Sequence, residues 1–157
     1  MAANAAKPRR PSATRSRNMA AIRSANTKPE LIVRKLLHGA GYRYRLHRRD
    51  LPGTPDLTLR KWNALIEVHG CFFHAHDCHL VKRRPVDNAE FWERKLTANV
   101  DRELRNAQAS VALGWRRLVI WQCAITGRSR LNQNKLLSRI ADWLSGTDAS
   151  GEIRGSD

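Results

Sequence analysis

The sequence lacks the features of a membrane-spanning or secreted protein. It contains no apolar run of about 18 residues and no signal-peptide pattern. Its three cysteines cannot close a set of disulfides. No internal repeat is visible, so a chain of 157 residues favours one domain that is long enough to bury a core. We therefore expect a cytoplasmic protein whose cysteines stay reduced.

Acidic residues are also scarce. Aspartate and glutamate number 14 against 29 lysines and arginines, which gives a net charge of +15 and a pI of about 11.1. Such a charge attracts polyanions; nucleic acid is the leading candidate and a membrane surface is the alternative. Every charged residue before Glu30 is basic, and residues 1–14 are rich in Ala, Pro and Ser. This stretch predicts a disordered basic arm, with a transit peptide as the alternative.

The chain after the arm alternates helical and strand patterns. A short helix is expected over residues 15–25, and Thr27, Pro29 and Glu30 form a capping box that predicts a second helix ending at Gly39. The later patterns predict three strands ("YRYRLH", "LTLR" and "NALIEVH"), a helix to about residue 113, a strand over 115–121 and a helix over about 131–145. We therefore expect one mixed α/β domain over residues 15–146 and a flexible tail over 147–157.

Two carboxylates are expected to meet on a hairpin. If Lys61 and Trp62 form a two-residue loop, Asp56 lies opposite Glu67, with their Cβ atoms roughly 4.5–5.5 Å apart. His69 then projects from the same face of the sheet. Adjacent carboxylates repel unless a proton or a cation lies between them, which suits Mg²⁺. The alternative is that Asp56 caps the turn and Glu67 is a solvated strand residue.

The stretch "HGCFFHAHDCH" over residues 69–79 is rich in metal-binding side chains. With a cysteine after the last predicted strand it offers the Cys₃His set of a structural zinc site: Cys71, His76, Cys78 and Cys123. His79 is an alternative ligand to His76. The other interpretation is that buried free cysteines lie among surface histidines.

Pro55-Asp56 followed by Glu67-Val68-His69 resembles the PD-(D/E)XK nuclease motif, with histidine in place of the usual lysine. Within that superfamily the sequence is similar to the very-short-patch repair (Vsr) endonucleases, which nick DNA beside a T:G mismatch. The similar stretches are "TRSRNM", "LPGTPDL", "HGCFFHAHDCH", "EFW" and "LGWRRLVIWQCA". The resemblance implies a restriction-endonuclease-like core of helix, three strands, helix, strand and helix, with a mixed sheet and structural zinc on the Cys₃His set.

The resemblance also implies the catalytic residues. Mg²⁺ is expected on Asp56 and on the backbone carbonyl of Val68, and whether Glu67 also ligates it is open. His69 and His74 are expected at the scissile phosphate, with the acid and base roles unassigned. Glu103, or Asp101 as its alternative, is expected to support a catalytic histidine. Glu30 either binds the metal through water or only completes the capping box.

Contacts to DNA follow from the same resemblance. An aromatic cluster of Phe72, Phe73 and Trp92 is expected to enter between base pairs from the major groove, and Met19 from the minor-groove side. Such insertion costs least at an already weakened mismatch. Lys95 and Asn99 are expected to contact the mispaired bases. The alternative for the aromatic residues and Met19 is ordinary core packing, and the alternative for Lys95 and Asn99 is an ordinary helix face.

The implied partner is double-stranded DNA with a T:G mismatch from deaminated 5-methylcytosine, with a functional link to a cytosine-5 DNA methyltransferase. We expect a monomer in the bacterial cytoplasm, associated with the nucleoid. One alternative is a PD-(D/E)XK nuclease of other specificity, and another is a zinc-braced DNA-binding module without catalysis. The combination of Asp56, His69 and His74 argues against the latter, since binding alone would favour lysine or arginine.

Overall fold

The computed structural model describes residues 12–20, 24–81 and 85–156. In these residues the chain forms a five-stranded sheet with helices packed against it. The helices are α1 (Ala13–Ala20), α2 (Lys28–Gly39), α3 (Ala89–Ala112), α4 (Gln122–Ile125) and α5 (Gln133–Ser145). The strands are β1 (Arg45–Leu46), β2 (Leu57–Leu59), β3 (Ala64–His69), β4 (Arg116–Trp121) and β5 (Ser150–Ile153).

The sheet is mixed and its strands are ordered β1-β2-β3-β4-β5. The pairs β1–β2 and β2–β3 are antiparallel, whereas β3–β4 and β4–β5 are parallel. Parallel neighbours need a crossover connection, and α3 and α5 provide the two crossovers. The predicted mixed α/β fold is therefore confirmed. None of the described helices is long and apolar enough to cross a membrane.

The hairpin has the predicted register, since Leu57 pairs with Ile66 and Leu59 with Ala64. Its connection is longer than the expected two residues: a 3₁₀ turn over Arg60–Trp62 is followed by Asn63 in the left-handed region, with φ of 46°. Residues 60 and 63 leave the ladder without shifting the alignment. Extended by one pair, the register places Asp56 opposite Glu67.

The core lies between one face of the sheet and the helices α2 and α5. The helices contribute Val33 and Leu37 of α2 and Leu136, Ile140 and Leu144 of α5. The strands contribute alternate residues: Leu57, Leu59, Ala64, Ile66, Leu118, Ile120 and Ile153. Because side chains alternate along a strand, the intervening residues lie on the other face, where α3 packs against β4. That second face carries the polar residues of the site.

The expectation of a flexible tail over 147–157 is wrong for residues 150–153. Residues Ser150–Ile153 form β5, which pairs with β4, and Ile153 is buried in the core. The sequence of residues 150–153 is polar except for Ile153, so it shows no alternating pattern that would predict a strand. The strand forms because the edge of β4 supplies its hydrogen bonds. The boundary at residue 14 also moves, since α1 begins at Ala13; residues 1–11 of the expected arm lie outside the described residues.

Candidate active site

Four metal-binding side chains meet where the loop after β3 approaches α4. The ligand atoms of Cys71, His76, Cys78 and Cys123 all lie within 4.8 Å of one another, and Cys123 Sγ is 3.7 Å from His76 Nδ1. A tetrahedral zinc ion with bonds of about 2.0–2.3 Å needs its ligands about 3.5–3.8 Å apart. The predicted Cys₃His cluster is thus assembled and matches a structural zinc site. His79 lies outside it, because its Nδ1 contacts Ser129 Oγ at 3.1 Å.

The surroundings of this cluster suit a bound cation. Burial raises the pKa of Cys71 to about 12 and also raises the pKa of Cys123, so both cysteines are thiols until a metal displaces their protons. The backbone N–H of Cys123 donates to Cys71 Sγ at 3.4 Å, and that of Gly155 to Cys123 Sγ at 3.4 Å. Burial lowers the pKa of His76, which favours the neutral imidazole that ligates metals.

The two predicted catalytic histidines stack on each other. His69 ends β3 and His74 lies on the following loop, with ring centroids 3.9 Å apart and planes inclined by 20°. Glu103 of α3 contacts His74 Nδ1 through Oε1, and its Oε2 lies 3.8 Å from His69 Nδ1. Asp101 is exposed and lines a different depression, on the outer side of α3. Of the two predicted acids, Glu103 is therefore the one that contacts the histidines.

Glu67 contacts Arg117 and His69 rather than Asp56. Its Oε1 accepts from Arg117 Nε at 2.9 Å, and its Oε2 lies 2.7 Å from Arg117 Nη2 and 2.8 Å from His69 Nε2. Burial would raise the pKa of Glu67, but the hydrogen bonds with His69 and Arg117 and the charge of Arg117 lower it to about 2. Burial in turn lowers the pKa of His69. Glu67 therefore orients His69, and metal ligation by Glu67 stays a prediction.

Asp56 lies just before β2, and its Oδ2 accepts a hydrogen bond from the Val68 N–H at 2.7 Å. Burial raises the pKa of Asp56 to about 7; the Val68 N–H opposes this rise, and the charges of Glu30 and Glu67 add to it. A bound cation would reverse the effect, since it favours the charged carboxylate. Metal ligation by the Val68 carbonyl stays a prediction.

Glu30 completes the capping box and also contacts Arg34 and His47; metal binding by Glu30 stays a prediction. Its Oε2 accepts from the Thr27 N–H at 3.2 Å, which completes the capping box. Its Oε1 contacts Arg34 and lies 2.8 Å from His47 Nε2. Ligand atoms of Glu30, His47 and Asp56 all lie within 4.8 Å of one another. Two carboxylates and an imidazole are a donor set that fits a divalent cation, and His47 was not predicted as part of it.

The three rings predicted to enter between base pairs, here called the aromatic wedge (Phe72, Phe73 and Trp92), lie together at the N-terminal end of α3. The ring centroid of Phe72 lies 5.2 Å from that of Phe73 and 5.2 Å from that of Trp92. Phe91, which was not predicted, adds a fourth ring 5.5 Å from Trp92 and is 51% exposed. Phe72, Phe73 and Trp92 are half-buried, and Phe91 is the exposed ring of the cluster; insertion between base pairs stays a prediction.

The predicted base-contacting residues lie beside this cluster. Lys95 Nζ is 5.4 Å from the ring centroid of Trp92. Asn99 donates to the Phe73 carbonyl at 2.9 Å, so it also fixes the loop. Met19 is in α1, and its side chain lies outside the described part of the chain.

Trp121 contacts both the Cys₃His cluster and the histidine pair, and the sequence analysis did not predict it. It ends β4, pairs in register with His69, and stacks on His76 with centroids 4.1 Å apart. Its ring centroid lies 5.4 Å from that of His69 with the two planes inclined by 85°, and its Nε1 donates to Glu152 of β5 at 3.0 Å. The parallel pairing of β3 with β4 creates these contacts, and no local pattern indicates them.

Comparison with known proteins decides the family. Residues 10–80 match the family model described as DNA mismatch endonuclease Vsr. The chain is 40% identical over 141 residues to the DNA mismatch endonuclease Vsr of Escherichia coli (strain K12), which covers 90% of each protein. The chain belongs to the Vsr DNA mismatch endonuclease family. It is thus a DNA nicking endonuclease of the Vsr type, and the resemblance drawn from its motifs is confirmed.

The chain is also similar to proteins that carry a different name. The type II nicking enzyme V.XorIIP of Xanthomonas oryzae pv. oryzae is 46% identical over 108 residues, or 69% of this chain and 79% of the relative. The type II nicking enzyme V.NmeAIP of Neisseria meningitidis serogroup A is 35% identical over 130 residues, or 82% of this chain and 92% of the relative. The relatives of this chain therefore include type II nicking enzymes as well as a Vsr endonuclease.

Proposed function

We propose that the protein nicks one strand of DNA beside a T:G mismatch, in a reaction that depends on a divalent cation such as Mg²⁺, and so starts very-short-patch repair of deaminated 5-methylcytosine. The observation that carries this proposal is the assembly of three groups in one region. These are the Asp56 cation site, the His69–His74 pair with its carboxylates, and the half-buried aromatic wedge formed by the loop of the Cys₃His cluster and α3.

The histidines are arranged for proton transfer. Glu103 contacts His74 Nδ1 and fixes the ring. His74 Nε2 can then accept a proton from the attacking water or donate a proton to the leaving oxygen. Glu67 holds His69 Nε2 and is itself held by Arg117, which fixes the ring of His69 beneath His74. A non-catalytic binding module has no need of two histidines with carboxylate partners. This arrangement therefore favours a hydrolase.

The cation site supplies the remaining requirement of phosphodiester hydrolysis. When bound, a divalent cation neutralises charge on the phosphoryl oxygens and lowers the pKa of a bound water. Asp56 provides the charged ligand, Glu30 provides a second carboxylate, and the Val68 N–H fixes the orientation of Asp56. An open cleft beside this site is lined by Thr27, Val68, His69, His74, Lys95 and Asn99, and it gives a DNA strand access to both histidines.

Mismatch preference is assigned to the wedge. We propose that Phe72, Phe73 and Trp92 enter between base pairs and that Lys95 and Asn99 contact the mispaired bases, with Met19 acting from the minor-groove side. Unstacking costs least where pairing is already weak, so insertion itself selects the site. The charge of +15 supplies affinity for the phosphate backbone that does not depend on sequence. The enzyme is proposed to act as a monomer in the bacterial cytoplasm, functionally linked to a cytosine-5 DNA methyltransferase.

A second candidate is a nicking enzyme that recognises the mismatch within another sequence context, or a different DNA feature. It is favoured by the relatives that are named type II nicking enzymes, one of them 46% identical. The protein fold and the catalytic residues would be unchanged, and only the wedge and its neighbours would differ in specificity.

The deciding experiment is single-turnover cleavage of an end-labelled duplex that carries one T:G mismatch, with the matched T:A duplex as control. We expect a single nick beside the mismatch in the presence of Mg²⁺, and slow or absent cleavage of T:A. His74→Ala should reduce nicking by several orders of magnitude while zinc content and mismatch binding in Ca²⁺ persist. Equal cleavage of both duplexes would refute the repair function and leave the second candidate.

The wedge is tested separately. Replacing Phe72 and Phe73 together by alanine should weaken binding to the T:G duplex more than binding to the T:A duplex, because the rings act at the weakened step. An equal loss on both duplexes would show that the rings serve only as general DNA contacts.

A further inference from the structure

The Glu30–His47–Asp56 cluster contains a candidate nitrogen ligand for a metal, His47 Nε2, which is part of neither the sequence motifs nor the catalytic histidine pair. His47 follows β1, whereas Glu30 is in the first turn of α2. Its Nε2 lies 2.8 Å from Glu30 Oε1, and its backbone N–H is bonded to the Asp56 carbonyl at 3.4 Å. The chain thus attaches His47 to the residue that carries the cation site.

The contacts of His47 Nε2 indicate a lone pair at this atom. Arg34 Nη2 lies 2.5 Å from His47 Nε2 and also contacts Glu30 Oε1. A guanidinium group can only donate hydrogen bonds, so His47 Nε2 accepts. His47 Nε2 and Glu30 Oε1 are then two acceptors only 2.8 Å apart, which repel each other unless a cation lies against both. The Arg34 guanidinium is the cation in that position.

Two further observations show that the positions of His47 and Arg34 cost the folded protein some conformational and hydrogen-bonding energy. His47 has a φ of 47°, in the left-handed region that non-glycine residues seldom adopt. Arg34 is nearly buried, and its Nε has no hydrogen-bond partner among the described residues. Arg34 Nη1 already donates to Asn26 Oδ1 at 2.7 Å, which gives the guanidinium an anchor away from the carboxylates.

We propose that His47 Nε2 is a direct ligand of the divalent cation held by Glu30 and Asp56, and that this nitrogen makes the site prefer Mn²⁺ to Mg²⁺. Mg²⁺ favours oxygen ligands and retains water, whereas imidazole binds first-row transition metals more strongly than it binds Mg²⁺. The cation takes the position of Arg34 Nη2 between Glu30 and His47. The inference rests on the proposed function, because it names the cation of the same site.

The test measures metal binding directly, on full-length protein with zinc in place. Mn²⁺ is titrated and followed by electron paramagnetic resonance, and bound Mn²⁺ is then displaced by Mg²⁺. His47→Gln keeps a polar side chain of similar reach but offers an amide in place of the imidazole. We expect it to lose about tenfold or more in Mn²⁺ affinity, with less than about threefold change for Mg²⁺. The matched control is His38→Gln, at the exposed end of α2, which should leave both affinities unchanged.

A second measurement identifies the ligand without relying on the fold of the His47 variant. Electron spin-echo modulation of bound Mn²⁺ should show a coupled histidine nitrogen, and it should persist when His69 and His74 are both replaced by glutamine. Loss of the modulation in that double variant would overturn the proposal, as would an unchanged Mn²⁺ to Mg²⁺ affinity ratio in folded His47→Gln. Nicking of the T:G duplex is assayed on the same samples. Failure of the parent protein to nick this duplex with nitrogen-coupled Mn²⁺ bound would refute the proposed function and leave this inference intact; in the His69 and His74 double variant, loss of nicking is the expected result.

Discussion

Asp56 should destabilise the cation-free protein at neutral and alkaline pH, and Asp56→Asn should therefore stabilise it. Burial and the neighbouring carboxylates raise the pKa of Asp56 from 3.8 to about 7. Each unit of pKa is worth about 1.4 kcal/mol, so ionised Asp56 costs the folded state at most about 4 kcal/mol. Asparagine keeps a carbonyl oxygen that accepts the Val68 N–H bond but carries no charge. We expect Asp56→Asn to be about 2–4 kcal/mol more stable than the parent at pH 8.

The pH dependence gives this prediction its sign. Below about pH 4, Asp56 is protonated in both the folded and the unfolded states, and the two proteins should have similar stability. Between about pH 4 and pH 7 the unfolded chain releases its proton while the folded protein retains it. The parent therefore loses stability relative to Asp56→Asn over this window, and the difference is complete above about pH 7.

The assay is urea unfolding of the zinc-loaded protein at several pH values, without added divalent cation and without chelator. Asp101→Asn, which removes an exposed carboxylate of α3, serves as the control and should follow the parent. Adding Mg²⁺ or Ca²⁺ at pH 8 should stabilise the parent, by an amount that grows with cation concentration, and leave Asp56→Asn little changed. If Asp56→Asn is no more stable than the parent at pH 8, the burial argument for Asp56 is refuted.

Three further predictions concern the zinc centre and the histidine pair. Cys123→Ser should lose zinc by metal analysis and unfold cooperatively at much lower temperature, since structural zinc contributes folding energy directly; zinc retention with an unchanged melting temperature would contradict this. Glu103→Gln should slow single-turnover nicking by about 10–100-fold, whereas Asp101→Asn should not, because only Glu103 contacts the histidines. Gly155→Ala should destabilise by about 1–3 kcal/mol in urea unfolding, because its Cβ would lie 2.6 Å from the Cys123 carbonyl oxygen; Gly39→Ala, with no atom within 4 Å, is the control.

Local patterns in the sequence were sufficient for several parts of the protein. The capping box at Thr27 and Glu30 predicted the start of α2, and the hairpin arithmetic predicted the register of β2 with β3. The spacing of Cys71, His76 and Cys78 predicted a metal clamp that the structure assembles with Cys123. These features follow from chain geometry over a few residues, or from side chains whose chemistry has few other uses.

The tertiary structure alone decided which side chains meet across long stretches of chain. Glu103 rather than Asp101 reaches the histidines because helical rotation turns the two acids to different sides of α3. Trp121 contacts both His69 and His76 because β4 lies parallel to β3. Glu152 of β5 accepts a hydrogen bond from the Trp121 ring and fixes its position. His47 joins Glu30 and Asp56 through a left-handed turn after a two-residue strand. Such contacts depend on packing and strand pairing between distant segments, and neither the composition nor the periodicity of those segments carries that information.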